Sequence, residues 1–225
     1  LYRDEPMSNA SPTARIGHNG GPPLDAGRRW RAHCWQRAAK RAWSPPRPEV
    51  ARLRMRQAAA TGLSYRQHQA IVMQVGRSPQ AVLFPLSGTL VRREAGEVWT
   101  DAAGGVELLP GVAAKLVAMT LPSVFVVSNQ AAVAEGRLSA GQAHGYVRQV
   151  DACSNGRIDD YRLCLETRNS TSPQRLPRPG MVHDLLRHHG LPAAAAIMVG
   201  ACSEEAACAA GAGLAEFIYS DSFFR

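Results

Sequence analysis

Two hydrophobic patterns alternate along most of this chain. Nearly continuous apolar runs, AVLF at 81–84, SVFVVSN at 123–129 and AAIMVG at 195–200, are too unbroken for a half-exposed strand and too short for a core helix. They predict strands buried on both faces. Weaker strand signals fall near Tyr161–Leu165 and at Glu216–Tyr219. Between them, helical patterning covers 110–120, Ser139–Gln149, Met181–His189 and the small-residue stretch EEAACAAGAG at 204–213. Strands alternating with helices in this way predict an α/β domain over 81–225, a Rossmann-like, mostly parallel sheet with helices on both faces. Ligands of such sheets bind beyond the carboxyl ends of the strands, which here are Pro85–Thr89, Ser128–Gln130 and Gly200–Ser203.

The first 80 residues have a different texture. Residues 1–25, including GHNGGPP at 17–23, are rich in Gly, Pro, Asn and Ser and read as a flexible segment. The sequence opens without Met, so residue 1 need not be the native start. A basic helix is expected over 26–42, with Trp30, Cys34 and Ala38 on one stripe, broken by Ser44-Pro45-Pro46. A second helix is expected from Pro48 to Thr61, and a third behind the N-cap Ser64, running to Val75 before Gly76. Together, residues 26–80 read as a small basic helical module preceding the α/β domain.

Charge sharpens that division. The 225-residue chain carries a formal net charge of +8, and its first 80 residues hold 14 Lys/Arg against four Asp/Glu, while the remainder holds 12 against 14. Arg28, Arg29, Arg31, Arg37, Lys40, Arg41, Arg52, Arg54 and Arg56 all fall on expected helices. Such a surface suits a nucleic-acid backbone, an acidic protein partner or a homodimer contact, or serves solubility alone, and no recognition-helix or zinc-finger spacing chooses among these. A composition 45% hydrophobic excludes a wholly disordered chain. Five cysteines, Cys34, Cys153, Cys164, Cys202 and Cys208, have no framework spacing, so a reducing, cytoplasmic setting is expected. No apolar run approaches the roughly 18 residues of a membrane span, and no membrane partner is expected.

Over about 81–219 the chain resembles the haloacid dehalogenase-like hydrolases, particularly their heptose bisphosphate and histidinol phosphate phosphatases. The resemblance rests on FPLSGTL at 84–90, VVSNQAAVAEGRLS at 126–139, RLPRPGM at 175–181 and MVGACSEEA at 198–206. It implies that the position of the nucleophilic Asp holds Pro85, that of the acid/base Asp holds Ser87, and that of a metal-binding Asp holds Ala201, with Glu205 the remaining acidic position. It also implies that Ser128, Asn129 and Arg178 sit where the family binds phosphate. A Ser hydroxyl, strand-end amides and a guanidinium suffice to bind a small phosphorylated ligand without turning it over.

Mg²⁺ prefers several hard oxygen ligands, which these positions lack, so no cofactor is expected. The structural zinc of some relatives has only Cys164 to match it. Cys202 and Cys208 read as core residues, and His188 and His189 as solvent-facing. The expectation is a non-catalytic, phosphatase-like protein acting as a binding or regulatory module through a protein or nucleic-acid partner. The alternative is a divergent metal-dependent phosphomonoester hydrolase drawing on Asp159, Asp160, Glu204 or Glu205.

Overall fold

A computed structural model describes residues 46–225. The expected flexible segment 1–25 and the expected helix at 26–42, with Arg28, Arg29, Arg31, Arg37, Lys40 and Arg41, lie outside the described residues.

Helix α1 (Pro48–Ala60) and helix α2 (Tyr65–Val75) come first. The start of α2 is fixed by a reciprocal cap between Ser64 and Gln67, and its end by Gly76 at φ 79°. Strand β1 (Ala81–Pro85) is followed by a small hairpin, β2 (Arg93–Glu94) and β3 (Glu97–Val98), then by α3 (Val112–Ala118) and β4 (Ser123–Asn129). A short α4 (Ala131–Ala134) precedes α5 (Ala140–Cys153) and β5 (Asp160–Cys164). The chain finishes through α6 (Gly180–His188), β6 (Ala196–Gly200), α7 (Ser203–Gly211), β7 (Glu216–Tyr219) and a terminal turn α8 (Ser220–Phe223).

Five strands form one sheet in the order β5-β4-β1-β6-β7, and every pairing is parallel. The uninterrupted apolar runs follow from this placement, because side chains alternate between two buried faces. Val82 and Phe84 of β1, Val124 and Val126 of β4, and Ile197 and Val199 of β6 share one core with Ile71, Leu116, Val147 and Phe223. Leu83, Phe125, Val127 and Met198 share the other with Met181, Val182, Leu185 and Leu186 of α6 and Cys208 of α7.

Leu63 and Ile71 belong to the first of these cores. The backbone of Ala60 also accepts hydrogen bonds from the N–H groups of Thr120 (3.1 Å) and Leu121 (3.0 Å). Residues Glu49–Arg225 accordingly form one compact unit, and the sequence-based boundary at residue 80 has no counterpart in the packing. On α1, Arg52 and Arg56 are exposed, whereas Arg54 is half-buried and donates to Gln69 (2.9 Å). Among the described residues, no helix is long and apolar enough to cross a membrane.

The sheet order places β1 at the centre, with the chain leaving first towards β4 and β5 and returning to β6 and β7 on the other side. The reversal opens a crevice at the carboxyl ends of β1, β4 and β6.

Candidate functional site

At the end of β1 the chain turns tightly. Leu86 N–H donates to Val127 O (3.1 Å) and Gly88 N–H to Val91 O (2.8 Å). Gly88 adopts φ 80°, a conformation that a side chain would strain. The Oγ of Ser87, within this turn, is shielded from solvent and has no hydrogen-bond partner among the described residues. Pro85 and Ser87 meet Ser128 and Asn129 from the end of β4, and Cys202, Glu204 and Glu205 from the start of α7, around a cleft of about 290 Å³. Ala201 is exposed and directly precedes the cleft-lining Cys202.

Of the expected anion-binding residues, Ser128 is nearly buried and its Oγ accepts from Gln130 Nε2 (3.0 Å). Asn129 works largely as a clamp. Its Nδ2 donates to Leu176 O (3.1 Å) and its Oδ1 accepts from Leu176 N–H (3.0 Å), tying β4 to the loop before α6. That loop settles which arginine enters the cleft. Arg178 turns away, its Nη1 donating to Ser170 O (3.2 Å), while Arg175 lines the cleft.

Two further arginines reach the cleft from segments that carry no motif. Arg93 comes from the β2 hairpin and Arg168 from the loop after β5. Arg168 is neutralised in a network in which it pairs with Glu97 and with Glu135 (3.2 Å), while Arg137 pairs with the same two carboxylates. Among the described residues neither Arg93 nor Arg175 has a carboxylate at ion-pairing distance; Arg175 Nη1 donates to Glu166 O (3.3 Å), and the rest of its guanidinium and that of Arg93 are left for a ligand.

Glu205 is buried within the cleft wall. Its Oε2 accepts from the backbone N–H groups of Ala201 (2.6 Å) and Cys202 (3.1 Å), closing a reciprocal cap at the start of α7. Burial pushes its carboxyl above the ordinary glutamate range, against the opposing pull of those two amides and of Arg93. Because the folded state then holds its proton more tightly than the unfolded chain, this group contributes stability at low pH. That contribution is lost as pH rises from the ordinary glutamate value through the folded one. Glu205→Gln keeps an oxygen for the amides and removes the titration. In urea unfolding from acid to neutral pH, the parent is expected to lose stability relative to this variant, by about 1.4 kcal/mol per unit of pKa separation. A difference that stays flat with pH removes the argument.

The remaining candidates are dispersed. Cys208 is buried, its thiol pushed up to about 12 by that burial, as expected of a core residue. Cys202 instead lines the cleft, with burial raising its thiol too. Cys164 is buried at the end of β5. Asp159 and Asp160 lie at the opposite, amino-terminal end of β5. There Asp159 Oδ2 accepts from Val124 N–H (2.7 Å), so neither can serve the cleft.

The parallel sheet centred on β1, the hairpin insertion directly after it and the cleft over the strand ends make up a haloacid dehalogenase-like fold, shared with solved structures. A D,D-heptose 1,7-bisphosphate phosphatase from B. bronchiseptica, solved with magnesium and phosphate, aligns with a TM-score of 0.56 at 20% identity, over 62% of this chain and 79% of that one. A HAD-like protein from Mesorhizobium loti aligns with a TM-score of 0.51 at 19% identity, over 62% of this chain and 71% of that one. In sequence, a D-glycero-α-D-manno-heptose-1,7-bisphosphate 7-phosphatase from Mycobacterium bovis is 35% identical over 88 residues, 37% of this chain. That match takes in 46% of the relative, less than half its length. No protein-family model matches the chain.

Proposed function

We propose that this protein is a non-catalytic, phosphatase-like binding or regulatory module that holds a small phosphorylated ligand in its cleft without hydrolysing it. The observation that carries this reading is the make-up of the strand ends: Pro85, Ser87 and Ala201 bring no carboxylate, while Arg93, Arg175 and Ser128 remain at the cleft. The residues do not fit magnesium. That ion prefers a near-octahedral set of hard oxygens including carboxylates, and Glu205 Oε2 already serves two amides. The cationic heads and the unpartnered Ser87 hydroxyl support anion binding, through charge-assisted hydrogen bonds.

Calorimetric titration of the purified chain with inorganic phosphate is expected to show saturable binding. Incubation with a phosphomonoester and Mg²⁺ is expected to release no phosphate above the rate without protein. Metal-dependent turnover that Glu205→Gln abolishes would overturn the proposal in favour of a divergent hydrolase, which Glu204 and Glu205 favour by lining the same cleft.

The basic segment 26–80 acts as the second contact surface, for a protein or nucleic-acid partner. Exposed Arg52 and Arg56 on α1 support this, with Arg28, Arg29 and Arg31 as the sequence's further candidates. Charge reversal at Arg28, Arg29 and Arg31 is expected to abolish capture of that partner while leaving phosphate binding unchanged. Cys153, Cys164, Cys202 and Cys208, unpaired among the described residues, support a reducing, cytoplasmic setting.

A further inference from the structure

The amino-terminal end of β5 carries a side-chain cluster that the cleft does not use. Asp160, the first residue of β5, lies beside His188, the last residue of α6, and His189, which follows it. One ligand atom from each of the three lies within 4.8 Å of the other two. β5 runs roughly 13 Å from Asp160 to the cleft end of the sheet, at the rise of an extended chain, so this cluster and the cleft are separate places.

We propose that Asp160, His188 and His189 form a binding site for a divalent transition-metal ion of the zinc type, pinning the end of α6 to the edge strand β5. The donor set carries the choice of ion. Two imidazoles and one carboxylate suit zinc and its neighbours in the first transition row, whereas Mg²⁺ and Ca²⁺ take oxygen donors.

The geometry is largely assembled already. His189 Nε2 and Asp160 Oδ2 form a hydrogen-bonded pair 3.0 Å apart, a separation close to that of two ligands on one tetrahedral ion, which would replace the shared proton. The His189 ring is held against Phe125, centroids 4.6 Å apart, and the helix end is fixed by His189 N–H donating to Leu185 O (3.1 Å). Asp160 is oriented through its other oxygen, which accepts from Tyr161 N–H and from Arg162 Nη1, each at 2.7 Å. Such outer contacts fix a ligand's direction, and here they leave Oδ2 facing His189 Nε2, where the ion would sit between them. His188 is exposed, its side chain makes no hydrogen bond among the described residues, and it packs edge-on to His189, with ring centroids 5.0 Å apart. It can turn in as the third donor, leaving one position for water. The negative end of the α6 dipole favours a cation at this point, while Arg162 opposes one.

The test is calorimetric titration of the full chain with zinc chloride near neutral pH, in parallel with Co²⁺, whose visible bands report nitrogen and oxygen coordination. One equivalent is expected to bind saturably and to raise the melting temperature. His188→Gln, which removes a donor and, of the observed contacts, only the exposed edge-on packing against His189, is expected to keep the metal-free melting temperature nearly unchanged and weaken zinc binding about tenfold or more. His189→Gln is expected to do the same to affinity while also loosening the metal-free fold. If the second variant does not fold, the first alone decides. Absence of saturable zinc uptake by the parent, or parental affinity in His188→Gln, overturns the proposal. Zinc retained by the variant with unchanged Co²⁺ bands likewise places the ion elsewhere and overturns it.

Discussion

Replacing Gly180 by alanine is expected to cost about 3 kcal/mol of stability, the upper end for overpacking, and to weaken phosphate binding in the cleft along with it. Gly180 opens α6, and its N–H donates to Pro173 O (2.9 Å), drawing the loop 173–180 into a closed turn. A Cβ at this position would collide with the carbonyl oxygen of Pro173, stand 2.6 Å from its carbonyl carbon and 3.0 Å from Gln174 N. All three are backbone atoms, so no side chain can swing aside to make room. Relief requires the loop to open, and this is the loop that sends Arg175 into the cleft and meets the Asn129 clamp at Leu176. Urea unfolding and phosphate titration on the same variant should therefore move together. Gly145→Ala is the comparison. Gly145 lies inside α5 with only Arg148 Nη2, 3.8 Å away, near its Cβ position, so the same chemical change is expected to stabilise by about 0.5–1 kcal/mol. Equal stability of Gly180→Ala and the parent would mean that the loop is not closed in solution.

Legibility in the sequence followed the strength of the physical signal. The expected strand at 123–129 and the observed β4 share both bounds, as do the expected and observed β7, because an apolar run ended by a turn admits few other placements inside a parallel sheet. The start of α5 was readable from the reciprocal cap of Ser139 with Gln142. Its end, expected at Gln149, falls at Cys153, where Asn155 (φ 56°) and Gly156 (φ 69°) make the turn. The dipeptide Asn155-Gly156 was the available signal for that stop.

The hairpin of β2 and β3 gave almost none. Two residues per strand cannot establish an alternation, and its turn rests on Ala95 at φ 49° beside Gly96 at φ 85°. Arg93 enters the cleft from that hairpin, so it was missed with it. Arg168 was missed for a related reason: what places it is a network with Glu97 and Glu135, residues 71 and 33 positions away, which no local pattern encodes. How α1 and α2 pack was hidden for a third reason. Charge describes the outer face of α1, and says nothing of Leu63 and Ile71, which commit the segment to the sheet's own core.

The two neighbouring arginines of the RLPRPGM segment allow the sharpest functional comparison. Arg175→Ala is expected to weaken binding of inorganic phosphate about ten- to hundredfold, since a hydrogen bond to a charged group contributes about 1.5–3 kcal/mol and each 1.4 kcal/mol is tenfold in affinity. Arg178→Ala is expected to leave affinity within about threefold and to act on stability, through the lost bond from its Nη1 to Ser170 O (3.2 Å). The spacing of the motif alone favours Arg178, and the path of the closed loop favours Arg175, so the two variants separate a reading by sequence position from a reading by geometry. Calorimetric phosphate titrations on both, with urea midpoints as the control for folding, decide it. The opposite ranking would mean that the loop rearranges when the anion binds, and that Arg178 is released from its carbonyl to meet it.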